Sequence, residues 1–335
     1  MCKRLLSVFF VMIFLAGLPL MAEAAPKTMK IAHMGNDAYH MSRAMVRFAD
    51  ILNATGKFKV EVYSGAVFGP DLEAIETVKA GDLDMTVSPT SYFTDEVPSI
   101  ACIELPYVFP TRQTAINTLE TEWGQKQLAL LEKSGLYGVG YMENGWRHLT
   151  NSKRPVRKPE DLKGLKLRTM PNPIHVYYWN SVGATAEGSP FSELYTNLAT
   201  KVFDGEENGI AYIYTQKFNE VQRYMTMSGH VYTSFILATN LDYWQKLDKE
   251  EQDLINKAYR DAYAYQLDLI AREDEASLAE MKKSTAFPFE VVELTPAEHK
   301  AFMDSAKPTH DKYREDLGDE EFDAFLKAVR EGTPK

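Results

Sequence analysis

The chain of 335 residues contains 47 acidic and 37 basic residues, a formal net charge of −10. This acidic balance argues against binding to nucleic acid or to anionic membrane surfaces. The length is sufficient for two domains of ordinary size.

Residues 1–24 have the organisation of a secretory signal peptide. Two basic residues precede an apolar run from Leu5 to Met21, and the segment ends in a small-x-small cleavage motif at Ala24. A membrane anchor is the alternative, but the run contains Gly and Pro and is close to the lower length limit for spanning a bilayer. We therefore expect cleavage after Ala24, export to the periplasm and no direct membrane insertion afterwards. Only Cys102 then remains, so no intramolecular disulfide is possible.

Strands alternate with helical patterns after the signal peptide, which predicts an α/β fold. The first predicted elements are a strand over 29–34, a helix with Asp37 as N-cap, a strand over 59–63, a helix over 70–81 and a strand from residue 83. A longer helix is predicted over 112–134, with Gly135 as its stop, and a strand-like stretch follows. We assign these elements to a first lobe over 25–145.

The alternation begins again near residue 145. The predicted elements are a strand over 164–168, helices over 173–182 and 191–200, and an extended stretch over 224–240. Taken alone, DGEENG (204–209) is typical of a glycine-bracketed turn. We assign 146–240 to a second α/β lobe.

One long helical pattern dominates the last segment, residues 241–335. Asp248 and Glu251 form a capping box, and the pattern continues to about Lys283 without Pro or Gly, roughly 50 Å at 1.5 Å per residue. A helix of this length can pack on both lobes. The remaining predicted elements are a strand over 287–294, a helix capped by Thr295 and an amphipathic helix over 319–331.

Motifs that hold metals, nucleotides or catalytic nucleophiles are missing from the sequence. The seven histidines show no HxH or HExxH spacing, and there is no CxxC, GxGxxG after a strand, P-loop or GxSxG. We therefore predict no metal site and no cofactor, and we expect a binding protein and not an enzyme.

Two arginines are placed where strands are predicted to end. Arg147 follows YMENGW, Arg168 follows GLKL, and Pro171 and Pro173 restrict the backbone after Arg168. Ligands of open α/β sheets bind beyond the carboxyl ends of strands. A guanidinium there can hold a carboxylate through two charge-assisted hydrogen bonds. Spacing alone leaves a solvated or ion-paired surface arginine as the alternative.

Two further side chains suit a ligand with a carboxylate. Asn208, within DGEENG, offers both a donor and an acceptor for a second carboxylate oxygen or an α-hydroxyl. Trp146 has a ring that can lie along a ligand, although a tryptophan at the end of a strand can equally belong to the core.

Four stretches carry a family resemblance: VFGPDLEAIETVKAGDLDM (67–85), ELPYVFP (104–110), ENGWRHLTNSKRPVRKPEDLKGLKLR (143–168) and FSELYTNLATKVFDGEEN (191–208). In this order and spacing, the chain resembles the periplasmic solute-binding proteins of tripartite ATP-independent periplasmic (TRAP) transporters. The resemblance implies a two-lobed, hinged α/β binding protein with a long helix spanning both lobes. It also implies capture of an organic anion and its delivery to a sodium-driven membrane permease.

The resemblance also implies roles for individual residues. Arg168 is expected to pair with the ligand carboxylate, with Arg147 and Asn208 near the same group. Glu73 matches an acidic position that meets ligand hydroxyl or amino groups. The positions expected to line the cleft from the first lobe are Asn36, Asp37, Ser88 and Tyr92.

The chain departs from the family pattern at residues 187–189, where Glu187 or Ser189 can face the ligand. The expected ligand is a small hydroxylated carboxylate such as a sugar acid, because acids, amides and hydroxyls surround the predicted site. An aromatic carboxylate is the alternative ligand, because aromatic residues are also available to contact it: Trp146, Tyr177, Tyr212 and Tyr214.

Other functions also remain open at this point. The paired arginines also suit a phosphorylated polyol as the ligand. Two other classes of protein are further alternatives: a periplasmic enzyme that acts on an acidic sugar, and a ligand-reporting subunit of a sensor. We expect a monomer.

Overall fold

The computed structural model describes residues 25–334, and the predicted signal peptide lies outside them. The described residues form one mixed sheet with helices packed against it, which confirms the predicted α/β class. Within this part of the chain, the strands are β1 (Lys27–His33), β2 (Phe58–Tyr63), β3 (Met85–Pro89), β4 (Leu136–Asn151), β5 (Lys166–Thr169), β6 (Thr185–Gly188), β7 (Gly205–Gly209), β8 (Tyr224–Asn240) and β9 (Glu290–Val292).

Helices connect and cover these strands. Between residues 25 and 334 they are α1 (His40–Asn53), α2 (Asp71–Ala80), α3 (Arg112–Glu120), α4 (Glu122–Leu130), α5 (Pro173–Ser181), α6 (Leu194–Ala199), α7 (Ile210–Thr215), α8 (Leu241–Gln245), α9 (Lys249–Lys283), α10 (Pro296–Ser305), α11 (Lys307–Leu317) and α12 (Asp319–Gly332). None of these helices combines the length and apolar character needed to cross a bilayer.

The strand order across the sheet is β2-β1-β3-β8-β4-β7-β5-β6, and β9 pairs with β8. β1 runs parallel to β2 and β3, and β5 runs parallel to β6 and β7. β8 is antiparallel to both β3 and β4. The sheet therefore has a parallel group of strands at each end, and the two long antiparallel strands β4 and β8 join them.

β4 and β8 each belong to both halves of the sheet. Residues 136–143 of β4 pair with the end of β8 beside β3, whereas residues 147–151 pair with β7 and with the start of β8. The register of β4 shifts between Glu143 and Gly145, and Gly145 has a φ of 95° that favours glycine. The two halves of the sheet thus meet at an irregular stretch of β4.

The proposed lobe boundaries fall inside these two strands. The boundary at 145/146 lies within β4, and residues 235–239, assigned from sequence to the second lobe, pair with β3 in the first half. The reason is that both strands run through the whole sheet, so no sequence boundary separates the halves cleanly.

The long helix α9 packs on both halves, and the predicted capping box of Asp248 and Glu251 is present. Its first half contributes Ile255 and Ala258 to the core beside β1 and β3. Near its end, Met281 joins the core of the second half. The predicted stop at Gly135 and the capping box at Thr295 are likewise confirmed.

The structure corrects the predicted helix over 112–134, which is broken into α3 and α4. Thr121 has an extended backbone, and its hydroxyl accepts a hydrogen bond from the N–H of Gly124. A Cβ at Gly124 would lie 2.2 Å from the carbonyl oxygen of Leu119, so the close approach at this break requires glycine.

Three other predictions of local structure were wrong. DGEENG is the buried strand β7 and not a turn, because it fills the space between β4 and β5. Arg147 lies inside β4 and not at a strand end, because pairing with β7 and β8 continues past it. Asp37 does not cap α1; Tyr39 holds the N-cap position, and Asp37 accepts a hydrogen bond from Ser64.

Candidate ligand-binding site

A cavity lies where the two halves of the sheet meet, beside the irregular stretch of β4. The space here is about 330 Å³ when the part open to solvent is counted. The charged, amide and tyrosine side chains that line it are Asp71, Tyr92, Asn144, Arg147, Arg168, Asn208 and Tyr212. The lining therefore offers charges and hydrogen-bonding atoms to a polar molecule.

Arg168, the third residue of β5, is a fully buried cation. Its Nε and Nη2 donate hydrogen bonds to the carbonyl oxygen of Ser189 at 2.8 and 2.5 Å. Within residues 25–334, its Nη1 is buried without a hydrogen-bond partner. Burial is the main cause that lowers the pKa of Arg168, and the positive charge of Arg147 acts in the same direction. The guanidinium thus lies against the cavity with unused donor capacity and without a carboxylate of its own.

Arg147 is equally buried but is fully paired. Its Nε donates to Oε2 of Glu207 at 2.5 Å, its Nη2 donates to Oε1 at 2.9 Å, and its Nη1 donates to Oδ1 of Asn208 at 3.2 Å. Burial opposes the charge of Arg147, but Glu207 raises its pKa above the ordinary value. Burial also opposes the charge of Glu207, but Arg147 holds the pKa of that carboxyl well below its usual range. The charge of Arg147 is therefore balanced inside the protein.

A buried polar network surrounds this ion pair. Nε2 of His230 lies 3.0 Å from Oε2 of Glu207, and burial lowers the pKa of His230. Burial raises the pKa of Glu206 to about 7, and this carboxyl accepts hydrogen bonds from Thr150 and from the amide of Asn208. These bonds fix the orientation of Asn208 at the cavity. Among the described residues, no group of three or more His, Cys, Asp or Glu is arranged to hold a metal ion.

Asp71 faces the cavity from the first half of the sheet. It is the first residue of α2, it is only 4% exposed, and its Oδ1 has no hydrogen-bond partner in the described part of the chain. Burial raises the pKa of Asp71 to about 7, while the hydroxyl of Ser88 and the charge of Arg168 act in the opposite direction. Asp71 is thus a buried carboxyl with one oxygen that the described residues leave without a hydrogen bond.

Aromatic rings form another wall of the cavity. Tyr212 lies between Tyr39 and Phe191, with ring centroids 4.0 and 4.7 Å apart respectively, and it is nearly parallel to Phe191. The hydroxyl of Tyr39 donates to Oδ1 of Asn144 at 2.6 Å. Ring contacts with Tyr39 and Phe191 therefore fix the orientation of Tyr212 at the cavity.

The structure brings together several residues singled out from the sequence. Those that line the cavity are Arg147, Arg168, Asn208, Tyr92 and Tyr212. Two others are adjacent to it: Ser88 lies beside Asp71, and Ser189 contributes its backbone carbonyl to Arg168.

Four other predicted residues do not line the cavity. Glu73 and Asp37 are exposed. Trp146 packs edge-on against Tyr232, with ring centroids 5.5 Å apart. The amide of Asn36 donates to the carbonyl of Thr215 at 2.8 Å, which links the β1–α1 loop to the end of α7.

Sequence reasoning missed Asp71, Asn144 and Phe191. Asp71 stands two residues before Glu73 at the start of the same predicted helix, and of these two carboxylates only Asp71 lines the cavity. Which of the two is buried depends on how α2 packs on the sheet, and the spacing of apolar residues does not resolve this at a helix terminus.

Comparisons with known proteins find similar sequences. The family model described as bacterial extracellular solute-binding protein, family 7, matches residues 31–316. The 2,3-diketo-L-gulonate-binding periplasmic protein of Escherichia coli strain K12 is 29% identical over 325 residues, covering 96% of this chain and 94% of that protein.

Solved structures are also similar. The sugar acid binding protein of Advenella mimigardefordensis, in complex with galactonate, has a TM-score of 0.88 at 30% identity and covers 93% of this chain and 100% of that one. A TRAP periplasmic solute binding protein of Shewanella oneidensis with bound succinate has a TM-score of 0.86 at 26% identity, covering 91% and 100%.

Proposed function

This chain belongs to family 7 of the bacterial extracellular solute-binding proteins, and we propose that it captures a hydroxylated monocarboxylic acid, such as a sugar acid, for a TRAP permease. The resemblance noted in the four sequence stretches is thereby confirmed at the level of the family. One observation carries the proposal: Arg168 is a buried guanidinium beside the cavity with a free Nη1 and no carboxylate partner among the described residues.

A ligand carboxylate completes the bonding of Arg168. The Ser189 carbonyl holds the guanidinium by Nε and Nη2, so the orientation of Nη1 is set before a ligand arrives. Each charge-assisted hydrogen bond contributes about 1.5 to 3 kcal/mol. Two such bonds supply a large part of a micromolar affinity, which corresponds to about 8 kcal/mol.

The charges at the cavity favour a ligand with a single negative group. Of the two lining arginines, Arg147 is already neutralised by Glu207, which leaves Arg168 to compensate an anion. A buried anion without a partner is strongly disfavoured. A phosphorylated polyol with two negative charges therefore fits less well than a monocarboxylate.

The remaining lining groups favour hydroxyls over an aromatic ring. Asp71, Asn144, Asn208 and Tyr92 supply hydrogen-bonding atoms at the cavity. Tyr212 already stacks on Phe191 and packs against Tyr39, which leaves less of its ring for stacking on an aromatic ligand. The galactonate complex of the Advenella relative supports the same ligand class.

Binding and release without chemical change is the proposed role. Solute-binding proteins of this family serve transport, and the proposal includes a periplasmic location and a monomeric state. An enzyme acting on an acidic sugar is the competing hypothesis. Recovery of unaltered ligand after prolonged incubation with the protein would count against it.

The test is calorimetric titration of ligand-stripped protein with galactonate, benzoate and glycerol 3-phosphate, together with mass spectrometry of any small molecule that co-purifies. We expect galactonate to bind with a Kd of about micromolar order and the other two compounds to bind far more weakly. Binding of glycerol 3-phosphate or benzoate with no measurable binding of galactonate would contradict the proposal.

A further inference from the structure

A second cavity shares two chain segments with the candidate ligand-binding site. Tyr92 and Met170 line the first cavity, and Thr94 and Asn172, two residues further along each segment, line the second. Its walls come from the segment after β3, from the start of α5 and from the end of α11. The space in the second cavity is about 590 Å³ when the part open to solvent is counted.

Asn172 leaves one donor group unused at this second cavity. It is the N-cap of α5, where its Oδ1 accepts a hydrogen bond from the N–H of Ile174 at 2.8 Å. The residue is only 1% exposed, and its Nδ2 has no hydrogen-bond partner within residues 25–334. A buried donor of this kind costs free energy unless an acceptor arrives. Because Asn172 lines the cavity, a molecule bound there can supply that acceptor.

The rest of the lining combines acidic groups with apolar surface. Asp95 and Asp316 line the second cavity, and no basic residue of the described chain does. Asp316 is paired with Lys312 at 2.6 Å, whereas Asp95 is exposed and can pair with a cation from outside. The apolar lining residues are Pro98, Ala101, Pro173, Ile174 and Leu317.

We propose that this cavity is a second ligand-binding site, which takes a small organic cation with a carbonyl oxygen and an apolar group. The cation pairs with Asp95, and the carbonyl accepts a hydrogen bond from Nδ2 of Asn172. The apolar group packs between the η-segment residues around Ala101 and the start of α5. An exposed ion pair and one neutral hydrogen bond contribute little each, so the expected Kd is of about millimolar order.

This second site contacts both halves of the sheet. Thr94 and Asp95 follow β3 in the first half, whereas Asn172 and Ile174 follow β5 in the second. A molecule that touches both segments favours the arrangement in which they lie together, and the same arrangement forms the first cavity. Each ligand should therefore raise the affinity of the protein for the other by the same factor. This coupling rests on the proposed function, whereas the second site itself does not.

The experiment uses the full mature protein without bound acid and L-leucinamide as the probe, at pH 7. Leucinamide carries an ammonium group, an amide carbonyl and an isobutyl group. N-acetyl-leucinamide keeps the carbonyl and the isobutyl group but has no charge, so it is the matched control compound. NMR titration gives each Kd, and the backbone amide shifts show where each compound binds.

Two variants remove one contact each. Asp95→Asn removes the charge, and Asn172→Ser keeps a hydroxyl that can cap α5 but removes the amide donor. Asp311→Asn is the control, because Asp311 lies on α11, pairs with Lys307 and does not line the cavity. Thermal melting checks that each variant is folded.

We expect the native protein and Asp311→Asn to bind leucinamide about threefold more tightly than N-acetyl-leucinamide. Asp95→Asn should weaken leucinamide alone by about threefold and so remove the difference between the compounds. Asn172→Ser should weaken both compounds by about fivefold, because both carry the carbonyl. In the native protein, saturating leucinamide should lower the Kd of galactonate by about threefold.

The outcomes separate this inference from the proposed function. Absence of leucinamide binding, shifts outside residues 94–101, 172–174 and 313–317, or competition with galactonate would overturn the second site. Equal leucinamide affinity in Asp95→Asn and the native protein would overturn its preference for a cation. A galactonate Kd that leucinamide leaves unchanged would overturn the coupling alone. If galactonate does not bind at all, the proposed function fails, and the leucinamide titrations still decide on the second site.

Discussion

The two buried arginines at the cavity are similar in burial but differ in their hydrogen-bond partners. Arg147 and Arg168 are both less than 2% exposed and both line the same cavity. Arg147 is held in the middle of β4 by both carboxylate oxygens of Glu207. Arg168 is held near the end of β5 by one backbone carbonyl and retains a free Nη1. The two arginines differ in their partners and not in their burial, and the proposal that Arg168 receives the ligand rests on this difference.

The comparison has an energetic meaning. A buried ion pair with complete hydrogen bonding is self-contained, and removal of one member leaves an uncompensated charge. A buried cation without a carboxylate is costly in the empty protein, and an anionic ligand relieves that cost. Substitution of Arg147 should therefore act mainly on stability, and substitution of Arg168 mainly on binding.

The largest expected effect on stability is that of Arg147→Ala. It should lower the free energy of unfolding by about 3 to 5 kcal/mol, because the buried Glu207 loses the guanidinium that balances its charge. Urea unfolding followed by circular dichroism measures this. The control is Arg157→Ala, since Arg157 is largely exposed and its pairing with Glu298 is worth about 1 kcal/mol or less. Equal losses in the two variants would contradict the structural role of Arg147.

Replacement of both members of the Arg147–Glu207 ion pair tests the same structural role. The double variant Arg147→Met with Glu207→Met should recover about 1 kcal/mol or more relative to Arg147→Ala, because no buried charge remains unpaired. The same unfolding assay reports it. A double variant that is less stable than Arg147→Ala would show that the surrounding network, including His230, depends on the charges themselves.

The ionisation of Asp71 should appear in the pH dependence of succinate binding. With its pKa raised to about 7 by burial, Asp71 in the free protein is largely neutral at pH 6 and largely charged at pH 8. Succinate affinity should therefore fall by about tenfold over this range. Arg168 stays charged, and burial raises the pKa of Tyr92 and Tyr212 beyond this range. Glu206, which accepts a hydrogen bond from the Asn208 amide, also has a pKa raised to about 7 and titrates over the same range, so the Asp71→Asn variant is needed to separate the two carboxyls.

Calorimetric titrations with succinate at pH 6 and pH 8 measure this dependence, and Asp71→Asn should remove the part of it that comes from Asp71. A native profile that is flat from pH 6 to pH 8, or an Asp71→Asn profile as steep as the native one, would contradict this assignment.

The smallest effect is expected at Asn36, whose amide bonds to the Thr215 carbonyl across the two halves of the sheet. Asn36→Ala should weaken galactonate binding by about two- to fivefold, because one neutral hydrogen bond contributes about 1 kcal/mol to the arrangement in which the halves meet. Calorimetry gives the affinity, and small-angle scattering with and without ligand gives the compaction. A loss above about 50-fold would indicate direct ligand contact.

Local chemistry made much of the fold predictable. Capping boxes at Asp248 and Thr295 and the glycine stop at Gly135 depend on residues close in sequence, and each lies where predicted. The two long strands, β4 and β8, were harder to predict, because their pairing partners change halfway along each strand. Arg147 was therefore placed at a strand end, although β4 continues to Asn151.

Of the residues that line the cavity, Arg147, Arg168 and Asn208 were predictable from the sequence, whereas Asp71 was not. Arg168 and Asn208 stand in recognisable motifs, and both line the cavity. The choice between Asp71 and Glu73 depends on which side of the first turn of α2 faces the second half of the sheet. Likewise, the pairing of Arg147 with Glu207 depends on the register between β4 and β7. Such tertiary relations are not encoded in the spacing of either segment.

The most direct test of the account is the calorimetric titration of galactonate into ligand-stripped native protein and into Arg168→Ala. Loss of the charge-assisted bonds to the carboxylate should weaken binding by about 100-fold or more, while the unfolding free energy stays within about 1 kcal/mol of native. An Arg168→Ala variant that is folded and binds galactonate within threefold of the native protein would contradict the central role of this guanidinium.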